Sequence, residues 1–289
     1  MTSPRDIKLQ ITSISKVQKI TRAMQNVAIS KMKKAQNRMR ISMPYANKIR
    51  EVISHIANCD CYQEYIYNYL REHKSLCKVG YILISVDRGL CGGLNHNLFK
   101  FALEQAHNLN NRGIEVDWCL FGKKAEIFFK HLNVNITAHS SGLGENPKVS
   151  DLIGSVAVML NAYKIGDIDQ LFIIHNEFVN TLIQRPKIFQ LLPITRASVK
   201  DSNYASCYVY ELDSKNVLDT LITRYIEMQV YQAVVENIAC EHVARMAAMK
   251  KATDNSKEII ESLFLLYNKV RQSAITREIS EIINGSDAV

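Results

Sequence analysis

Residues 221–274 read LITRYIEMQVYQAVVENIACEHVARMAAMKKATDNSKEIIESLFLLYNKVRQSA. Alternating steps of four and three from Leu221 to Ala274 visit sixteen positions, and twelve are apolar: Leu221, Tyr225, Met228, Val235, Ala239, Met246, Met249, Ile260, Leu263, Tyr267, Val270 and Ala274. The exceptions are Gln232, His242, Thr253 and Ser256. A 3.5-residue repeat held this long keeps one seam turned toward a partner helix, which predicts a left-handed coiled coil and not a globular surface helix. Neither Gly nor Pro intervenes between Asp213-Ser214 and Gly285, so one helix of roughly 105 Å is expected at 1.5 Å per residue.

The chain offers its own partner. Ser3-Pro4-Arg5-Asp6 is a helix start: Ser accepts from early amides, Pro tolerates the first helical position, and Asp favours the positive end of the dipole. Ile7, Ile11, Ile14, Val17, Ile20, Met24, Val27, Ala28, Met32, Ala35 and Met39 then recur at helical spacing. A helix of about 80 Å is expected to about residue 57, with Pro44 bending but not ending it. Both helices adjoin one central segment, so they are expected to pair antiparallel, with facing residue numbers summing to about 271. Met24 then falls near Arg245, Met246 and Met249, and the last helix outruns the first beyond Tyr267. That surplus carries Val270, Ile275, Ile279, Ile282 and Ile283; a lone helix so apolar is unstable in water, so another molecule is expected to enclose it.

Between the helices the pattern changes. Residues 79–86, 116–121, 170–178, 187–194 and 208–210 read as strands, with helical patterns near 95–110, 123–132 and 151–163. Alternation of this kind predicts a Rossmann-like α/β domain with a mostly parallel sheet. The organisation expected is an N-terminal coiled-coil helix over 1–60, a central α/β domain over 61–212 and a C-terminal coiled-coil helix over 213–289.

Composition narrows function by exclusion. The hydrophobic fraction is 47%, ordinary for a chain with a buried core. No run of eighteen apolar residues is present, so no membrane-spanning helix is expected, and the N-terminus lacks a signal peptide's apolar stretch. A cytosolic mature protein is expected. The seven cysteines, Cys59, Cys61, Cys77, Cys91, Cys119, Cys207 and Cys240, make no C-x-x-C pair and read as reduced thiols. The histidines are scattered, and no metal motif or paired-carboxylate cluster emerges. Residues 1–60 hold twelve Lys and Arg against three acidic residues, a net of +9 in a chain of +8; the N-terminal segment is therefore the one expected to meet an acidic surface. In a basic-zipper protein the basic region precedes the seam. Here Lys16, Lys19, Arg22, Lys31, Lys33, Lys34 and Arg38 interleave with it, which favours a protein partner over nucleic acid, the rival reading being a basic coiled-coil nucleic-acid-binding or scaffold protein.

The loop Asp87-Arg88-Gly89-Leu90-Cys91-Gly92-Gly93-Leu94-Asn95 stands between a strand and a helix, where dinucleotide sites usually lie. It lacks the Gly-Lys-Ser/Thr of a P-loop and the spacing of G-x-G-x-x-G, so Arg88, Gly89, Cys91, Gly92 and Gly93 are read as a structural turn. Cys91 at a helix start is a conceivable nucleophile, but no partnering base can be named, and a small buried residue in a tight turn is the plainer reading.

Several of these blocks resemble one family. Gln18-Lys19-Ile20-Thr21-Arg22-Ala23-Met24, Val27-Ala28 and Lys31-Met32 are similar to the N-terminal motif of the gamma subunit of the bacterial rotary proton-translocating ATP synthase. The loop at 87–95 resembles that family's D-R-G-L-C-G-G-L-N. Ala244-Arg245-Met246-Ala247-Ala248-Met249-Lys250, Ala252-Thr253-Asp254-Asn255, Tyr267-Asn268-Lys269, Arg271-Gln272, Ile275-Thr276 and Glu278 resemble its C-terminal block. The resemblance implies a non-catalytic rotor that couples proton flow to ATP synthesis and hydrolysis, without a cofactor, a metal or a small-molecule substrate of its own. The implied partners are the alpha and beta subunits of the catalytic hexamer, the epsilon subunit and the membrane c-ring, and the implied place is the cytoplasmic face of the bacterial inner membrane. Arg22, Met24, Arg245, Arg271, Gln272, Thr276 and Glu278 match positions that contact the beta subunit and couple rotation to catalysis. Tyr208, Tyr210, Glu211 and Asp213 match the segment near the ring and epsilon. Lys16 and Val17, Leu212, and Ser286-Asp287 depart from the usual residues, and Asp287 in an apolar sleeve would carry a burial cost.

Overall fold

The computed structural model describes residues 3–58, 76–181, 183–194 and 214–286. The elements are α1 (Pro4–Asn58), β1 (Lys78–Ile84), α2 (Leu94–Asn110), β2 (Glu115–Phe121), α3 (Lys123–Lys130), β3 (Asn135–Ser140), α4 (Ser150–Ile165), β4 (Gln170–Phe178), β5 (Gln184–Leu192) and α5 (Ser214–Ser286). They form two compact units, Met1–Ser30 with Arg245–Val289, and Lys31–Ala244.

In the first unit α1 opens on a reciprocal cap. The Asp6 amide donates to Ser3 Oγ at 3.3 Å, and the Ser3 amide donates to Asp6 Oδ2 at 3.2 Å, which satisfies amides that the first turn leaves without partners. Ile7, Ile11, Ile14, Gln18, Thr21, Gln25 and Ala28 are covered positions of α1 in an unbroken four-three alternation, with Pro4, Ser15 and Ile29 partly covered as well. On α5 the same alternation runs through Met246, Met249, Thr253, Ser256, Ile260, Leu263, Tyr267 and Val270, with Arg245, Ala248, Ala252 and Asn268 partly covered beside it. The seams meet antiparallel, with Thr21 Oγ1 and Thr253 Oγ1 2.9 Å apart.

The apolar stripe expected on α1 is corrected here. Val17, Ile20, Met24 and Val27 are 49%, 59%, 36% and 51% exposed, while polar Gln18, Thr21 and Gln25 lie in the seam. Ile14 and Ala28 are two heptads apart, so a helix anchored at both must bring 18, 21 and 25 to the interface; position 17 or 24 lies about 100° away. Facing numbers sum to 274, not 271, and Met24 does not enter the seam. Residues 271–284 of α5 are all exposed.

In the second unit the same sum recurs: Ser42 Oγ donates to Gln232 Oε1 at 2.6 Å. α1 runs on through Pro44. The sheet order is β3-β2-β1-β4-β5; β1 is parallel to both β2 and β4, β2 to β3, and β5 is antiparallel to β4. One face packs Ile82, Ile84, Cys119, Phe121, Leu171 and Ile173 against α4 and α5. The other packs Tyr81, Leu83, Trp118 and Leu120 under α2 and α3. Between residues 222 and 243, α5 is buried nearly all round, as a helix must be when it is apolar on every side.

Several boundaries and one strand differ from the sequence expectation. β1 ends at Ile84, and β5 begins at Gln184, carrying Pro186 on an edge strand where a missing N–H is tolerated. β3 went unrecognised; it is an edge strand of alternating half-covered and exposed residues with no apolar run. The strand expected at 208–210 lies outside the described residues.

Candidate functional site

β1 has β2 on one side and β4 on the other, so the chain reverses its direction of winding between β1 and β4. Open α/β sheets take their ligands in the crevice beyond the carboxyl ends of the strands at such a point. Here the crevice holds the chain's own helix. Glu236 Oε1 of α5 accepts the Phe178 amide at 2.9 Å. Asn237 Oδ1 accepts Asn176 Nδ2 at 2.9 Å, and Asn237 Nδ2 donates to the Ser85 carbonyl at 3.2 Å. Cys240 Sγ donates to the Asn176 carbonyl at 3.3 Å, and burial pushes its thiol pKa up, which keeps it a donor. His175 Nε2 stands 3.4 Å from Glu236 Oε2. Asn176 and Asn237 are each 1% exposed.

The wall of the crevice is tight because of Ser85. Its hydroxyl donates to the Phe121 carbonyl and accepts the Ala125 amide, both at 3.0 Å. A Cβ at Gly122, where φ is +97°, would come within 2.6 Å of Ser85 Oγ and 2.7 Å of its carbonyl oxygen, so only glycine fits.

The 87–95 loop closes the same end. Asp87 Oδ1 accepts the Lys123 amide at 2.9 Å and the Gly142 amide at 3.2 Å; it caps α3 and pins a second loop. Leu90 and Gly92 have φ of 66° and 61°, the left-handed geometry of a tight turn. Cys91 is 4% exposed and packs with Val86, Leu94 and Cys240, so it joins the loop to α5. Gly92 and Gly93 are exposed; Gly89 lies beside Lys124.

Burial raises the Glu236 pKa, but the hydrogen bonds from His175 and the Phe178 amide outweigh it and hold the carboxyl below the ordinary glutamate value. Lys31 pairs with Glu145, and Arg38 donates to the Glu145 carbonyl at 2.5 Å and to Asn146 Oδ1. The Lys31 hydrogen bond lowers the Glu145 pKa. Two of the seven interleaved basic side chains on α1 thus hold the chain's own loop.

The other residues singled out in the sequence gather in the first unit. Arg22 and Met24 are exposed on α1; Arg245 is partly covered at the start of that unit's α5 segment. Arg271, Gln272, Thr276 and Glu278 stand on the exposed stretch past Val270. Arg271 lies 6.0 Å from the Tyr267 ring centroid, and Thr276 Oγ1 donates to the Gln272 carbonyl at 2.9 Å. Tyr208, Tyr210, Glu211 and Asp213 lie outside the described residues. Sequence reasoning missed Glu236, Asn237, His175 and Asn176. The signal for the first two was a Glu-Asn pair inside an apolar stretch, Ala233-Val234-Val235-Glu236-Asn237-Ile238-Ala239-Cys240.

Among the described residues no group of His, Cys, Asp and Glu is placed to hold a metal ion, and no helix is long and apolar enough to cross a membrane. Long paired helices and an α/β domain whose crevice is filled by its own helix define a structural class. The family model described as ATP synthase matches residues 3–289, and the chain belongs to that family as a gamma subunit, a non-catalytic member. Solved structures share the fold. A chain of the Euglena gracilis mitochondrial ATP synthase rotor in rotational state 1 matches with a TM-score of 0.65 at 19% identity, over 94% of this chain and 98% of that one. One from the OSCP/F1/c-ring of the same enzyme in rotational state 3 gives 0.70 at 20% identity, over 99% and 94%. One from the Tetrahymena thermophila mitochondrial central stalk and c-ring gives 0.63 at 22%, over 81% and 99%.

Proposed function

We propose that this gamma subunit is the central rotor of a proton-translocating ATP synthase. Proton flow turns a membrane ring, the chain turns with it inside the alpha/beta hexamer, and its asymmetric surface drives the beta-subunit sites through different affinities. The functional segments are a shaft from 1–60 and 213–289 and an α/β domain from 61–212. Arg22, Met24, Arg245, Arg271, Gln272, Thr276 and Glu278 contact the beta subunits and couple rotation to catalysis, whereas Tyr208, Tyr210, Glu211 and Asp213 face the ring and epsilon. The complex sits on the cytoplasmic face of a bacterial plasma membrane, and the chain is peripheral to it.

The observation that carries this reading is exposed apolar surface among the described residues of the first unit. Ile275, Ile279 and Ile282 are 47–66% exposed on the stretch of α5 that extends past the described residues of α1. At the level where facing numbers sum to 274, Leu9, Phe264, Leu265 and Leu266 are exposed on both helices. Apolar groups turned outward on several sides of one coil call for a surrounding sleeve, because a single flat partner would leave some of them in water. The solved relatives described as rotor and central-stalk chains agree with that reading. Reconstitution tests it: the chain should assemble with alpha and beta subunits and make their ATPase activity cooperative. Salt-sensitive DNA binding without such assembly would refute it.

A further inference from the structure

The filled crevice has a mechanical consequence. Helix α5 is held by apolar contact along one face of the sheet, and apolar contact is non-directional, so by itself it resists sliding or twisting poorly. The Glu236–Asn237 pair differs. It makes directional bonds to three backbone or side-chain groups at the ends of β1 and β4: the Phe178 amide, Asn176 Nδ2 and the Ser85 carbonyl. His175 and Cys240 add contacts from either side. A one-residue slide of α5 would break all of these bonds at once and leave buried polar groups unpaired.

We propose that Glu236 and Asn237 are the key by which the α/β domain is locked to α5, so that turning force applied to the domain passes into the helix without slip. This rests on the rotor reading and names positioning residues for it.

The test uses the full reconstituted ATP synthase in proteoliposomes, with Glu236→Ala, Glu236→Gln and Asn176→Ala. Leu98→Ala serves as a control, because Leu98 is buried on the opposite face of the sheet. ATP hydrolysis and proton uptake are recorded together while the proton gradient builds. In Glu236→Ala, protons moved per ATP should match wild type at the start and fall as the gradient grows, giving a lower final gradient. Glu236→Gln keeps an acceptor for the Phe178 amide and should restore most of the loss. Leu98→Ala should lower stability without slip under load. If Glu236→Ala fails to assemble, Asn176→Ala, which removes one neutral bond, carries the same expectation in milder form.

Hydrogen exchange gives a second readout: the Phe178 amide should exchange about ten- to a hundredfold faster in Glu236→Ala, as loss of a bond to a charged acceptor implies. Wild-type load dependence in an assembled Glu236→Ala complex would overturn the proposal, as would equal slip in Leu98→Ala. Failure of the wild-type chain to assemble at all would instead sink the rotor reading.

Discussion

The phase of the coil in the first unit is open to a direct chemical test. Thr21 and Thr253 bring their hydroxyl oxygens within 2.9 Å across the seam. Thr21→Cys with Thr253→Cys, in a chain stripped of its own cysteines, should therefore cross-link readily under mild oxidant. The two positions are 232 residues apart in sequence, and closing a loop of that size removes denatured-state entropy worth about 5 kcal/mol in the chain-entropy model. Urea unfolding followed by circular dichroism, oxidised against reduced, should show the midpoint rise with the bond and return when it is reduced. Ile20→Cys with Thr253→Cys is the matched control. Ile20 is 59% exposed on the outer side of α1, so this pair should link slowly and stabilise little. If the Ile20 pair linked faster than the Thr21 pair, the seam would run through Val17, Ile20 and Met24, and the assignment of those residues to an outer surface would be refuted.

Three further outcomes follow from other sites. Met24→Lys changes an exposed side chain, so the isolated chain should keep its stability within about 0.5 kcal/mol; ATP-driven proton pumping by the assembled complex should fall, because a charge is added to the surface assigned to the beta subunit. Trp118 is 1% exposed, with ring centroids 4.7 Å from Phe129 and 5.2 Å from Tyr81, and Trp118→Ala should cost about 3–5 kcal/mol in urea unfolding. Glu236, with its carboxyl held below the ordinary value, contributes stability that is fully present above the ordinary glutamate pKa and lost as pH falls through the lowered one. Glu236→Gln should flatten that acid limb in a pH series of urea midpoints.

The sequence carried the long helices almost to the residue, because caps, the absence of Gly and Pro, and a sustained 3.5-residue repeat all pointed the same way. It also carried the Rossmann-like sheet, since β1, β2 and β4 are apolar runs. β3 was illegible because an edge strand needs no apolar run, and Asn135, Thr137 and His139 point to solvent. The seam of α1 was misread for a physical reason. Val17, Ile20, Met24 and Val27 repeat as regularly as the true seam, and hydrophobicity alone cannot tell a stripe reserved for another molecule from one that meets its own partner. The phase is fixed instead by Ile7, Ile11, Ile14 and Ala28, which also tolerate polar Gln18, Thr21 and Gln25 between them. The grip at Glu236 and Asn237 lay beyond sequence reasoning because its counterparts, Ser85, Asn176 and Phe178, come together only in the folded sheet.

Rotation itself is the most direct measurement. With the alpha/beta hexamer fixed to a surface and a bead tethered to the α/β domain of this chain, ATP should drive the bead round in one direction in discrete steps. A bead that stays still while the hexamer hydrolyses ATP, or a chain that never enters the hexamer, would contradict the account.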